Sequence, residues 1–482
     1  NTASRASFIG NGLGNTVSGI YSSIVGGKSN TSSTACSFIG GGLNNSVGTT
    51  RSALVGGQLN TIEGNGGYAF LGGGCNNIVT TSTNGGHVLV GGSLNISCNT
   101  GTSVGHTTVV GGCKNITTGG FAAIVGGQLN TASAACSFIG GGQCNTACGV
   151  ASSIGSGQFN ITTAAATEAS IGGGWGNCVT GVGSAIAGGN SNKTRGNYSI
   201  IGGGLSNETC LNVSFVGGGQ SNLANGYFAT IAGGYRNIAS PYSFIGSGQD
   251  NTSSASYTVI VGGQCNTASA QSSFIGGGDR NVASGVNSSI VGGIWNTTSA
   301  ECSFIGGGFE NLNEGGFSSI LGGSCHCIHT ICNGAFILGG TGNEVSGSTY
   351  GAILGGGGNI VKNAVSGFIG VGLSNCVTGQ LSSIVGGIYN TASAACSFIG
   401  GGCNNINARI FGVIGGGYNN GLYGIKSFIG GGEYNRITYC SERVSIVGGS
   451  YNTASDGSCD SFIGGGCKNI IDKGCLSSII GG

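Results

Sequence analysis

One asparagine per unit recurs along the whole chain, and its spacing constrains the fold more than any other feature. Aligned on it from Asn15 to Asn469, 19 of the 29 intervals are 15 residues, one is 14 and the rest are 16 to 20. The unit reads N-T-A-S-x-x-x-S-[F/S]-I-[G/V]-G-G-x-x, with Ile, Leu or Val six residues before each Asn, from Ile9 through Ile463. One slot departs from the rule and holds His326. Fifteen residues is too short for a helical-hairpin repeat or a propeller blade. It fits one coil of a parallel solenoid, with two short strands and two turns. Ser, Thr, Ile, Val and Phe favour extended backbone. A single Pro in 482 residues agrees, because every central strand must donate its amides to the next coil. The expectation is an all-β fold, a parallel β-solenoid or β-roll of about 31 coils, running over 1–482 as one continuous repeat array without separate domains. Insertions fall mostly between the Asn and the next Ser-x-Ile, which makes that turn the outward one; the segments 61–68, 78–87 and 96–107 are examples of such variable turns.

Composition removes several classes. Gly is 108 of 482 residues and charged residues are 6%, against roughly 25% in ordinary globular chains. Glycine does not fall at every third position, which excludes collagen, and the aliphatic content argues against disorder. A net charge of +1 leaves no electrostatic footprint for nucleic acid. No apolar run approaches the roughly 18 residues of a membrane helix, so neither a nucleic-acid partner nor membrane insertion is expected. The start at "NTAS" and the lack of Met point to a processed product or one part of a longer gene product.

Side chains alternate across a strand, so in S-[F/S]-I-[G/V] the recurring Ile faces one way and its two neighbours face the other. Those neighbours trade bulk: Phe38 goes with Gly40 and Ser23 with Val25, Phe274 with Gly276 and Ser289 with Val291. This reads as volume compensation, a Phe in one coil lying over the small residue of the next. Both faces of the strand are then apolar, and such strands are normally buried on both. The second face is expected to pack against another copy, as a homotrimer or another self-associated fibre.

The recurring Asn is expected at a turn, as a stacked amide ladder bonding the coils above and below. Its members include Asn15, Asn30, Asn45, Asn60, Asn130, Asn145, Asn266, Asn281, Asn390 and Asn405. The competing reading is that Asn merely tolerates a left-handed backbone there.

At "SSIVGG" (22–27, 382–387), "SFIGGG" (37–42, 397–402) and the intervening "NTAS" segments, the chain resembles the head repeats of trimeric autotransporter adhesins. The resemblance implies a left-handed parallel β-roll, a core shared by three chains, and exposure on a cell or particle surface. It reaches over essentially the whole chain but includes no neck, coiled-coil stalk or anchor barrel. The terminal "SSIIGG" and "NTASRASFIG" would complete a normal coil if joined with two residues between them. Either a longer array or head-to-tail stacking into a filament follows from that match.

Catalysis needs clustered, tuned groups, and the 14 carboxylates are scattered without recurrent pairing. No enzyme and no cofactor are expected, although stacked coils leave a carbohydrate-active β-helix open as an alternative. "CHCIHTIC" places Cys325, His326, Cys327, His329 and Cys332 within eight residues, a donor set that suits zinc; against it, cysteines are scattered everywhere and His326 merely fills the Asn slot. His87 and His106 take nearly matching places in neighbouring coils and hint at the same more weakly. Cys440, Cys459 and Cys475 fall five, seven and six residues after their ladder Asn, so one disulfide is expected in this column, Cys459 to Cys475 by preference. Cys36, Cys136, Cys302 and Cys396 share one repeat position and read as small buried apolar residues. Of twelve N-x-[ST] sequons, Asn44, Asn197, Asn212 and Asn287 lie off the ladder and are the glycosylation candidates.

The functional expectation is a structural or adhesive fibre or filament subunit, extracellular or exposed on a cell or virus particle. Its partners would be itself and a cell-surface or glycan ligand met by the outward turns. An ice-binding solenoid is the other alternative. That function wants a uniform Thr array, whereas the residue after the ladder Asn varies among Thr, Ile, Val, Ser, Leu and Cys.

Overall fold

A computed structural model describes residues 1–82, 85–99 and 105–482. Among the described residues there is no helix, and the backbone is a parallel β-solenoid of about 31 coils with a spacing near 15 residues. Two compact units, Asn1–Tyr242 and Ser243–Gly482, are built from this same coil. Thirty-one strands of two to four described residues belong to each.

Every coil contributes one short strand to each of two parallel sheets. The first begins just after the Asn, as in Thr31–Ser32, and is called here the Thr sheet; the second is the Phe sheet, as in Phe38–Ile39. In the first unit Ile39 pairs in register with Ile24 and Leu54, and Ser32 with Val17 and Val47. In the second, Ile275 pairs with Ile260 and Ile290, and Ala268 with Ser253 and Ala283. Amides donate to the following coil: Phe38 N–H to the Ser52 carbonyl at 3.0 Å and Gly40 N–H to that of Leu54 at 2.9 Å. The pattern recurs along the unit, which is why a proline would cost a ladder bond at most positions.

The interior is narrow. The Phe sheet sends in Ile, Leu or Val, and the Thr sheet answers mostly with Val, Ala, Ser or Thr and in some coils with Ile, Leu or Asn, nearly all with essentially no exposure. In most coils a large aliphatic side chain thus faces a smaller partner, which matches volume within the coil; the coils of Ile62, Ile328, Leu422 and Ile437 pair two large ones. Two polar spines flank this core. One is the asparagine ladder, fully buried at the expected positions. The Asn30 N–H donates to Asn15 Oδ1 at 3.0 Å, while Asn30 Nδ2 donates to the Gly26 carbonyl of its own coil and the Gly42 carbonyl of the next, at 3.1 and 3.0 Å. Asn266 and Asn281, and Asn390 and Asn405, repeat the N–H to Oδ1 bond at 3.0 Å. The side-chain amide therefore satisfies the main chain of its neighbours more than it satisfies the neighbouring side chains. Left-handed backbone falls not on the ladder Asn but on the residue before it, such as Ser29, Asn44 and Leu59.

The second spine was not expected. The Ser preceding the Phe-sheet strand is buried in most coils. Ser22 Oγ donates to the Thr34 carbonyl at 2.6 Å and accepts the Ser37 N–H at 3.0 Å. A third parallel column, one residue wide, also adds to the expected two strands: Leu13, Lys28, Leu43 and Gln58 are successive bridge partners. Between the Phe sheet and this column the chain turns tightly over glycine. At Gly278 (φ +91°), a Cβ would stand 2.0 Å from the Gly293 carbonyl oxygen, so no other residue fits without moving the backbone.

Candidate interaction face

The inward half of each Phe-sheet strand is closed by its own chain; the outward half is not. In the second unit the outer column runs Phe244, Val259, Phe274, Ser289, Phe304, Ser319, Phe336 and Ala352, and continues with Phe368, Ser383, Phe398, Val413, Phe428, Ser445 and Phe462. Phe244, Phe398, Phe428 and Phe462 remain 37–40% exposed. Two residues on, and on the same face, stand Val261, Val291, Leu321, Leu338, Val385 and Val447, each 43–51% exposed. The expected volume compensation holds between coils, since Phe38 pairs with Ser23 and Ala53. It also operates within one strand, as the trade between Phe274 and Gly276 implies. The Phe274 ring lies over its own Gly276, with Cε1 3.5 Å from where a Cβ would stand, because residues i and i+2 share a face.

In the first unit the same face carries a hollow. Three successive coils present only small residues, Ser153 with Gly155, Ser170 with Gly172 and Ala185 with Ala187, between Phe138 and Ile200. The hollow measures about 450 Å³ and its lining is mainly apolar.

The remaining sequence candidates do not converge. His326 sits in the ladder, its N–H donating to Asn311 Oδ1 at 3.0 Å and its Nδ1 accepting the Asn343 N–H at 3.1 Å. Burial holds its pKa below the ordinary histidine value. Cys332 points into the interior and bonds the Val345 carbonyl, whereas Cys325 lies exposed beside Glu310. Only Cys327 and His329 approach each other, Sγ to Nε2 3.4 Å, with Glu344 Oε1 3.3 Å beyond. Burial first, then Glu314 and Glu344, push the Cys327 thiol up to about 11, so it stays protonated at neutral pH. Among the described residues no group of three His, Cys, Asp or Glu is placed to hold a metal. His87 and His106 likewise separate: His87 is buried with Nδ1 2.6 Å from Thr107 Oγ1, and His106 bonds the Gly86 backbone.

Cys459 and Cys475 are direct partners in one parallel bridge, and both thiols are free. Cys440 is not in that column. Glu442 stands over Cys459 instead, because both lie seven residues after their ladder Asn, whereas Cys440 lies only five after Asn435. Cys36, Cys136, Cys302 and Cys396 are not buried as expected. They occupy the left-handed corner residue before the inward Ser, with φ between 52° and 56°, and Cys36 and Cys136 are exposed. Of the sequons, Asn44 and Asn287 are exposed corner residues with positive φ. Asn197 and Asn212 are half-buried in a short ladder of their own, where Asn197 Oδ1 accepts the Val182 N–H and Asn212 Oδ1 the Asn197 N–H, both at 2.9 Å. The outward segment 61–68 opens as strand, Thr61–Gly64, paired with Ile78–Thr81. Segments 78–87 and 96–107 include 83–84 and 100–104, which lie outside the described residues.

No family model matches the chain, and comparison with curated proteins returns no match.

Proposed function

We propose that this chain is a structural, self-associating subunit of an extracellular or particle-surface fibre, whose outward corners are displayed for contact. One observation carries the reading: the outer face of the Phe sheet is a regular apolar column with nothing covering it. Apolar faces of this extent mark association surfaces. A phenylalanine presents about 200 Å², so 38% exposure leaves roughly 75 Å² open, worth about 2 kcal/mol at ~25 cal/mol per Å². Phe244, Phe398, Phe428 and Phe462 together offer roughly 8 kcal/mol, and the exposed Val and Leu beside them add to it, against the ~4–15 kcal/mol cost of bringing chains together. The occupant is a second copy of the chain: one array's Phe rows seat between another's small residues, and the hollow beside Phe138 gives room for such seating. A trimer with three Phe sheets facing inward is the arrangement that the adhesin-head resemblance favours.

Sedimentation velocity tests the reading. The native chain should sediment as an oligomer, and Phe304→Ser with Phe398→Ser should shift it toward monomer while the β-sheet circular dichroism is kept. A native chain that stays monomeric at high micromolar concentration would overturn the proposal.

A further inference from the structure

The outer column of the Thr sheet carries a side chain in every coil except one. At Gly421, between Ile406 and Arg436 in register, that column has a gap. A cleft of about 200 Å³ opens there, walled by Tyr423, Tyr434 and Arg436 and edged by Asn419. Five of the chain's 14 tyrosines fall between 418 and 451, and they form a braced aromatic surface around the gap. Tyr434 stacks on Tyr451 at 4.8 Å with the rings 6° from parallel and meets Tyr418 edge-on at 5.4 Å, while Tyr423 lies 5.0 Å from Tyr439.

The charges around the cleft divide into two kinds. Lys426 and Arg443 are committed to Glu442, and Arg443 also to Asp460. Arg409 and Arg436 make no ion pair among the described residues. Each lies over a tyrosine instead, Arg409 on Tyr439 at 5.0 Å and Arg436 on Tyr423 at 5.2 Å, and Arg409 Nε also donates to the Tyr423 carbonyl at 3.2 Å. The neighbouring carboxylate, Glu433, belongs to the third column with Tyr418 and Ser450.

We propose that the Gly421 cleft binds one residue of an acidic oligosaccharide. Tyrosine faces supply stacking surface for a sugar ring, Asn419 and Arg436 supply hydrogen bonds, and the Arg436 guanidinium lining the cleft, without a counter-ion among the described residues, selects a carboxylate or sulfate. The volume is below the roughly 300–1,000 Å³ that encloses a drug-sized ligand, so the cleft takes a single residue of a longer chain. This deepens the display half of the proposed function and does not depend on the Phe face.

Fluorescence polarisation with labelled oligogalacturonate, heparin-derived, cellohexaose and oligoglutamate probes tests it on the full chain. One or both acidic saccharides should bind, and which of them binds separates carboxylate from sulfate recognition. Arg436→Gln and Tyr434→Ala should each weaken binding at least tenfold, and Arg280→Gln, in a pair with Asp279 elsewhere, should not. Gly421→Thr restores the side chain that many other coils carry and displaces only the Tyr423 ring, whose Cε2 stands 2.9 Å from the new Cβ position; it should abolish binding with the fold intact. Equal binding of cellohexaose or oligoglutamate, binding indifferent to Gly421→Thr, or no saccharide binding would each overturn the proposal. Sedimentation of the same samples separates the two claims, since an intact oligomer without saccharide binding removes this site and leaves the fibre reading standing.

Discussion

Replacing one ladder asparagine should open the solenoid at that coil. In Asn266→Ala, the buried Asn281 N–H loses its acceptor at 3.0 Å, and the carbonyls of Gly262 and Gly278 lose a donor at 3.1 and 3.0 Å. A buried amide left without a partner costs about 1–3 kcal/mol. The two part-buried carbonyls cost less, since that of Gly278 still accepts the Gln264 N–H at 2.9 Å, which brings the expected loss to about 3–5 kcal/mol. Because repeat arrays respond through neighbouring coils, the cleanest assay is amide hydrogen exchange at Asn281 rather than a global midpoint. Its protection should fall by roughly two to three and a half orders of magnitude at ~1.4 kcal/mol per decade, while the amide of Asn390, many coils away, keeps its native rate. Asn266→Asp retains the acceptor but not the donor, and should lose less at Asn281. Native protection at Asn281 in the alanine variant would refute the ladder's energetic role.

Three further outcomes follow from particular side chains. His87 is buried, and burial, with His106 second, lowers its pKa to about 4; the folded state therefore resists protonation. Its contribution is whole above the ordinary value near 6.5 and is lost as pH falls toward 4, by up to about 3 kcal/mol, so His87→Gln should flatten that part of a stability–pH profile. Mild oxidation in a glutathione redox buffer should join Cys459 to Cys475 and leave Cys440 outside the pair, which peptide mapping without reductant will read; a Cys440–Cys459 link would contradict the register. In a glycosylating host, Asn44 and Asn287 should carry sugar and the buried sequons Asn30 and Asn115 should not, and sugar on those two would refute the buried ladder.

What was legible from sequence depended on whether a feature repeats in phase. The Asn slot and the aliphatic residue six places before it fixed the coil, the interior column and the ladder, because each recurs at nearly constant spacing. His326 was placeable for the same reason. Features that depend on register through an insertion were not. Cys475 lies six residues after its ladder Asn and Cys459 seven after its own, yet these two pair, while Cys440, five after Asn435, gives its place to Glu442. Corner geometry was equally hidden: Cys36 and Ser37 are adjacent and both small, but one takes a left-handed backbone and faces out while the other turns in. The buried Ser spine was visible as a recurring letter whose bonds to the Thr34-type carbonyl no pattern announces. The Gly421 cleft is assembled from tyrosines at different repeat positions in successive coils, so only folded coordinates bring them together.

The central claim is that the outer face of the Phe sheet is covered in the native assembly. Hydroxyl-radical footprinting at native concentration reads it directly, with the exposed corner tyrosines Tyr21, Tyr198 and Tyr350 as internal standards. The account predicts that Phe244, Phe398 and Phe428 label far below the 37–40% exposure they have in a single chain, and recover on dilution to monomer. Labelling of those rings at the single-chain level, unchanged by concentration, would contradict it.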